Sequence, residues 1–183
     1  MITIHTVPQA FTPAQCDMLI GYTKSADAAD AKLVNQSANH NIRRSELVWV
    51  DEIAEAEWVM THLIDVVRQA NRDVYNFDLT DFSESAQIAR YGAERQGHFG
   101  WHSDIGEGQF ARKRKLTVVI QLSDPAQYTG GTLEVMASNA TTLGQKERGT
   151  AIVFPSYLLH RVTPVETGER FSLTVWAHGP AFR

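Results

Sequence analysis

The chain has 183 residues, 43% hydrophobic and 21% charged, with 17 Lys and Arg against 21 Asp and Glu for a formal charge of −4. That length fits one domain able to bury roughly 70% of the surface its unfolded chain exposes, so folding itself requires neither a metal nor a disulfide. The single cysteine, Cys16, excludes a disulfide-stapled scaffold. There is no apolar run of about 18 residues, and residues 1–9 are neither basic nor long enough for a secretion signal. The acidic balance argues against non-specific nucleic-acid binding. A cytoplasmic globular protein is the expectation.

Phe11-Thr12-Pro13-Ala14-Gln15 predicts a helix start, with Thr12 as N-cap, Pro13 in the first helical position and Gln15 placed to reach back to the cap. Phe11 is placed to staple over Cys16. The helix should run to Tyr22 or Lys24 and bury Cys16, Leu19 and Ile20. Residues 25–41 are polar and alanine-rich without periodicity, which suggests mostly loop, and a strand over 47–50 follows. From 53 to about 75, Ile53, Val59, Leu63, Val66, Val67, Ala70 and Val74 fall mostly three, four or seven apart, predicting an amphipathic supporting helix.

After residue 85 the texture changes. Runs rich in β-formers occur at 86–91, 116–122, 132–136, 141–143, 150–154, 158–164 and 171–177, separated by turns at Gly130-Gly131, Gly149 and 166–169. Such spacing without helical periodicity predicts an antiparallel sandwich or barrel. The expected layout is one mainly β domain over 1–183, with 1–85 mostly helical support and 86–183 the β core.

Within the β half lies His102-Ser103-Asp104. On an extended segment residues two apart share a face, so an imidazole and a carboxylate converge there. Alone, such a pair is as compatible with a hydrogen bond at a strand edge as with a site. A second imidazole, His160, flanked by strand-like residues, completes two histidines and a carboxylate, the set that suits non-haem Fe(II) with open coordination positions. Zinc more often takes a third His or Cys, or a closed four-ligand site. Arg170 follows ten residues later, with a guanidinium fork suited to a carboxylate. A simple hairpin would leave Arg170 about 16 Å from His160 along the ladder, too far for one small dicarboxylate to bridge both. The ligand reading therefore requires the chain to cross from one sheet to the other at 166–169.

In order, Arg90-Tyr91-Gly92, His102-Ser103-Asp104, Leu122-Ser123-Asp124-Pro125, Tyr128-Thr129-Gly130-Gly131-Thr132-Leu133, Phe154-Pro155-Ser156, His160-Arg161-Val162-Thr163-Pro164-Val165 and Gly168-Glu169-Arg170 resemble the Fe(II)/2-oxoglutarate-dependent oxygenases. The resemblance covers roughly residues 86–178 and is strongest toward the prolyl 4-hydroxylase-like branch and the PKHD-type hydroxylases. It implies His102, Asp104 and His160 as iron ligands, Arg170 on the distal carboxylate of 2-oxoglutarate, and Tyr91 beside that cosubstrate. The implied fold is the double-stranded β-helix, a cupin-like jelly roll whose two sheets enclose the metal. The implied reaction is a dioxygenase hydroxylation of an unactivated C–H bond, releasing succinate and CO2, with ascorbate in support. Asp104 fills the position that iron halogenases leave open for halide, which favours hydroxylation. Collagen-type prolyl hydroxylases carry lysine where Arg170 stands, which points toward the PKHD-like group. PKHD-type proteins also carry a C-terminal segment beyond the point matching Arg183.

The implied substrate is a prolyl or similar residue in a peptide or protein; a free amino acid or small metabolite is the alternative. A non-enzymatic jelly-roll sensor binding metal and 2-oxoglutarate is a rival of another class. Nucleobase-demethylating relatives carry a second arginine shortly after the first, and 171–177 has none. Among the remaining residues, 92–101 (GAERQGHFGW) suits either a lid or a surface loop, and Trp101 is expected in the core. His98 is expected as a loop histidine, His178 as non-catalytic, Trp176 as packing, and the run Arg112-Lys113-Arg114-Lys115 as a solvated turn.

Overall fold

The computed structural model describes residues 4–25, 29–30 and 39–182. In chain order the elements are β1 (His5–Val7), α1 (Pro13–Ser25), β2 (Ala29–Asp30), β3 (Arg43–Arg44), β4 (Glu46–Trp49), α2 (Glu57–Ala70), β5 (Gln87–Gly92), β6 (His98–His102), β7 (Arg114–Gln121), β8 (Tyr128–Gly130), β9 (Leu133–Ala137), β10 (Ala140–Leu143), β11 (Ala151–Pro155), β12 (His160–Val162) and β13 (Val165–His178). The loop expected over 25–41 lies mainly outside the described residues.

The expected cap forms at α1. The Gln15 side chain accepts from the Thr12 amide at 2.8 Å, and the Thr12 hydroxyl accepts from the Gln15 amide at 3.2 Å. The single helix expected over 53–75 is shorter than its periodicity suggests. Two 3-10 turns precede α2, and a π turn over Asn71–Tyr75 ends it, with Asn76 left-handed at φ 50°. The Asn71 side chain holds both the amide and the carbonyl of Phe77 at 2.9 Å, which turns the chain out of the helix.

Two antiparallel sheets face one another. The larger runs β1-β11-β7-β13-β5-β4-β2 with β8 paired to the start of β13, and the smaller runs β10-β9-β12-β6-β3. This is the jelly-roll arrangement expected from the sequence. Residues before 85 supply strands to both sheets as well as the two helices. β7 and the second half of β13 are buried on both faces because both faces are covered, with the outer face apolar. Leu116, Val118, Ile120, Leu173 and Val175 pack with Cys16 and Leu19 of α1 and with Val59, Leu63 and Val67 of α2. Val119, Ile152, Phe154, Leu133, Val135 and Val162 fill the space between the sheets. No helix among the described residues is long and apolar enough to cross a membrane.

The crossing required by the spacing argument is present. His160 pairs with His102 on one side and Val135 on the other, in the smaller sheet. Val165 and Gly168 pair with β8, and by Arg170 the strand pairs with Tyr91 of β5 in the larger sheet. Gly168 sits at φ +70°, where an added Cβ would run into the Gln127 carbonyl. Gly168→Ala should therefore lower stability by roughly 1–3 kcal/mol, measured by urea denaturation. An unchanged midpoint would show that the crossing tolerates a side chain.

Candidate metal and cosubstrate site

His102, Asp104 and His160 come together between the sheets, with candidate ligand atoms all within 4.8 Å of one another. Each histidine Nε2 lies 3.5 Å from an Asp104 carboxylate oxygen. His102 Nδ1 donates to the Gly100 carbonyl at 2.8 Å, and His160 Nδ1 to the Leu158 carbonyl at 3.0 Å. These bonds select the tautomer in which both Nε2 lone pairs face the cluster, as a metal requires. Burial pushes the His160 pKa down, and the nearby His102 adds to the effect while Asp104 opposes it, so the ring is neutral at neutral pH.

A local irregularity aims His102. Between the pairs Val162–Phe99 and His160–His102, β6 carries one residue more than β12. This bulge puts Phe99 and His102, three apart, on the same inner face, stacked at 3.5 Å between centroids and 14° between planes. Trp101 consequently points outward. It is 38% exposed with the Arg161 guanidinium carbon 4.8 Å above its ring, which corrects the expectation of a core residue. Residues 92–101 are neither a free loop nor a lid, for a 3-10 turn at Ala93–Arg95 leads directly into β6. His98 belongs to that strand, bonded to the Gln96 and Asn41 carbonyls and away from the cluster.

Asp104 lies just beyond β6, its amide donating to the Ser156 carbonyl at 2.9 Å. Burial opposes its ionisation, yet the two histidines and the Trp176 indole outweigh this and hold the carboxyl well below the usual range. Thr117 Oγ1 donates to Asp104 Oδ2 at 2.7 Å and Trp176 Nε1 to the same oxygen at 2.9 Å. Thr117 and Trp176 are cross-strand partners on β7 and β13. Trp176 thus does more than pack, and period two from Arg170 through Ser172 and Thr174 carries the signal that would have found it.

Arg170 is wholly buried. Its Nη2 donates to Gln121 Oε1 at 3.0 Å and its Nη1 to Ser172 Oγ at 3.3 Å, while Nε has no partner. Tyr91 is buried beside it, with the guanidinium carbon 5.3 Å from the ring centroid. Burial raises the Tyr128 pKa, and the facing Arg170 offsets part of that rise. No carboxylate among the described residues pairs with Arg170. A buried, unpaired guanidinium with an orphaned N–H fits a bound carboxylate. A cavity of about 430 Å³ is lined by the histidine–aspartate cluster, Tyr91 and Arg170 together. The donor set suits Fe(II), and the cavity can admit a dicarboxylate together with part of a substrate.

The basic run is only half solvated, which corrects that expectation. Arg112 and Lys113 are exposed, but Lys115 is buried with its ammonium 3.8 Å over the Phe182 ring. Arg114 donates to the Asp104 carbonyl at 3.0 Å, lies 3.8 Å over the Trp176 ring, and binds Glu84 with both Nε and Nη2. His178, fully buried, bonds Glu84 at 2.9 Å. It has no place in the cluster itself, as expected, but helps fix Glu84.

Burial opposes the charge on Glu84, but hydrogen bonds from His178 and Arg114 prevail and lower its pKa to about 2 from 4.5. A carboxylate depressed on folding adds stability above its unfolded pKa and loses it as pH falls through the folded value. Glu84→Gln should cost about 2–3 kcal/mol at pH 7, and distinctly less at pH 3. Urea denaturation of both proteins at the two pH values checks this; a pH-independent difference would refute the charge linkage.

Comparisons with known proteins agree with this geometry. The family model described as the 2OG-Fe(II) oxygenase superfamily matches residues 86–178, just over half of the chain. A PKHD-type hydroxylase of Sphingopyxis alaskensis is 39% identical over 107 residues, covering 53% of this chain and 47% of the relative. The chain spans between 36% and 58% of the length of eight of the curated relatives it matches. Among solved structures, a prolyl hydroxylase of Trichoplax adhaerens, in complex with a hypoxia inducible factor oxygen degradation domain peptide fragment, shares the fold at a TM-score of 0.78 and 16% identity, over 96% of this chain and 83% of that one. A Pseudomonas putida prolyl-4-hydroxylase shares it at 0.77 and 22%, over 98% and 94%. With the motifs of 86–178 matched in order on a jelly roll, the chain belongs to the 2OG-Fe(II) oxygenase superfamily.

Proposed function

We propose that this chain is an Fe(II)- and 2-oxoglutarate-dependent dioxygenase that hydroxylates an unactivated C–H bond of a prolyl or similar residue in a peptide or protein, releasing succinate and CO2. The observation that carries this reading is one cavity with a two-histidine, one-carboxylate cluster on one wall and an unpaired, wholly buried Arg170 on the other. His102 and His160 would hold the metal through Nε2 and Asp104 through a carboxylate oxygen. When bound, the metal would activate dioxygen, the oxidant of the reaction: one oxygen atom enters succinate as 2-oxoglutarate loses CO2, and the other enters the substrate C–H bond.

The chain's own residues supply orientation and shelter. Arg170 grips the distal carboxylate of 2-oxoglutarate, and Gln121 and Ser172 keep its fork aimed. Tyr91 walls the same end. Val119, Leu133 and Val162 line the cavity with apolar surface that keeps water from the reacting atoms. Kinship with PKHD-type hydroxylases and with prolyl hydroxylases supports the peptide or protein substrate. Ascorbate as supporting reductant, a cytoplasmic setting and a single domain over 1–183 are parts of the same proposal; the lone buried Cys16 suits a reducing compartment.

Purified protein given Fe(II), ascorbate and 2-oxoglutarate should form succinate, and His102→Ala or His160→Ala should reduce this by more than about a hundredfold. Arg170→Gln should raise the KM for 2-oxoglutarate about tenfold or more. Protein targets should gain 16 Da by mass spectrometry, the mass of one oxygen atom. Succinate formation indifferent to both histidine changes would sink the assignment. Binding of metal and 2-oxoglutarate without any turnover would favour the sensor.

A further inference from the structure

We propose that Arg43 is a second anion site in the cavity, selecting substrates that carry a carboxylate close to the residue to be hydroxylated; this rests on the dioxygenase reading above. Three arginines line the cavity. Arg114 is neutralised by Glu84, and Arg170 faces the cosubstrate end. Arg43 is 8% exposed, and the only side-chain hydrogen bond it makes among the described residues runs from Nε to Ser45 Oγ at 2.7 Å. No carboxylate among the described residues pairs with it, and its terminal nitrogens are not sealed from solvent. By contrast Arg90, Arg148 and Arg161, on the outer surfaces, all have acidic partners. A largely buried cation is costly unless an anion meets it.

Position makes that anion part of a substrate. The Arg43 guanidinium carbon lies 4.5 Å from the Phe99 centroid, and Phe99 stacks at 3.5 Å on His102, so the charge sits within about 8 Å of a metal-ligating ring. The charges of Fe(II) and Arg170 are balanced by Asp104 and the dicarboxylate cosubstrate. The positive charge of Arg43 is left over. Beside it Ile42 and Trp49, 40% and 37% exposed, line the same cavity and offer apolar surface to the body of the substrate. A carboxylate attached to a compact apolar unit matches both features, whether it is an acidic side chain next to the target or the α-carboxylate of a free amino acid.

Three probes separate these sources: a blocked pentapeptide with proline between two aspartates, its counterpart with two asparagines, and free L-proline. Binding is read by anaerobic calorimetry on full-length protein loaded with metal and 2-oxoglutarate, alongside 2-oxoglutarate affinity and thermal melting. One acid-bearing probe should bind at least about tenfold more tightly than the asparagine peptide, and whichever wins identifies the source. Arg43→Gln should erase the preference, Arg43→Lys should keep part of it, and neither should change 2-oxoglutarate affinity. Equal affinities, no binding of any probe, or a preference surviving Arg43→Gln would overturn the proposal. So would a loss of 2-oxoglutarate affinity in Arg43→Gln, which would assign the residue to the cosubstrate. Absence of Fe(II)-dependent succinate formation by the wild type would instead sink the dioxygenase reading.

Discussion

Asp104 carries a carboxylate into the space between two sheets, where burial alone would favour its neutral form. The chain offsets that cost from several directions. Thr117 and Trp176 on the larger sheet fix one oxygen, the histidines of the smaller sheet face both, and Arg114 holds the backbone carbonyl behind it. Asp104 therefore ties the sheets together at the point where they enclose the cluster. The histidine tautomers are set by backbone carbonyls, so the donor set is arranged before any metal arrives. Such preorganisation spares the site the reorganisation that a loop-borne cluster would undergo on binding.

The crossing at Val165–Gly168 complements this. By moving β13 from the neighbourhood of β12 to the larger sheet, it sets Arg170 across the cavity from His160 instead of beside it along a ladder. The strand then alternates strictly. Leu173, Val175 and Ala177 pack under the helices, while Arg170, Ser172, Thr174 and Trp176 face the cavity. One strand thus delivers the unpaired guanidinium and the indole that holds Asp104, and its outer face is anchored by α1 and α2. The helices matter to chemistry only through that anchoring, which keeps β7 and β13 in register.

Much of this was legible because it follows from short-range periodicity. The helix start at Thr12, the strand runs after 85, the His102–Asp104–His160 set and the demand for a sheet crossing all rest on residue type and spacing. What escaped depends on tertiary placement. Thr117 sits inside an apolar strand and looks like ordinary β-former chemistry until Asp104 is brought beside it. Arg114 and Lys115 look like half of a basic run, and only Glu84, Trp176 and Phe182 distinguish them from Arg112 and Lys113. The bulge in β6 has no sequence mark beyond Gly100, yet it turns Trp101 outward and His102 inward. Asn71, which ends α2 through its bonds to Phe77, looks from its sequence like a tolerable helical residue.

That bulge also separates two jobs within five residues. A strand without it would alternate strictly, and Phe99 and His102, three apart, would lie on opposite faces. With it, both turn inward and stack, so the inner face carries the cluster imidazole backed by an aromatic ring, and that ring in turn supports Arg43. The support of the cluster and the recognition of whatever enters the cavity are then physically continuous. A change at Phe99 would be felt at His102 on one side and at the Arg43 guanidinium on the other. By the same geometry, β3 and the rim at Ile42 and Trp49 can vary in what they recognise without disturbing Asp104, whose hydrogen bonds all come from elsewhere in the fold. On the proposed reading, what the cavity admits can change along β3 and β4 while the His102–Asp104–His160 cluster stays fixed by β6, β7, β12 and β13.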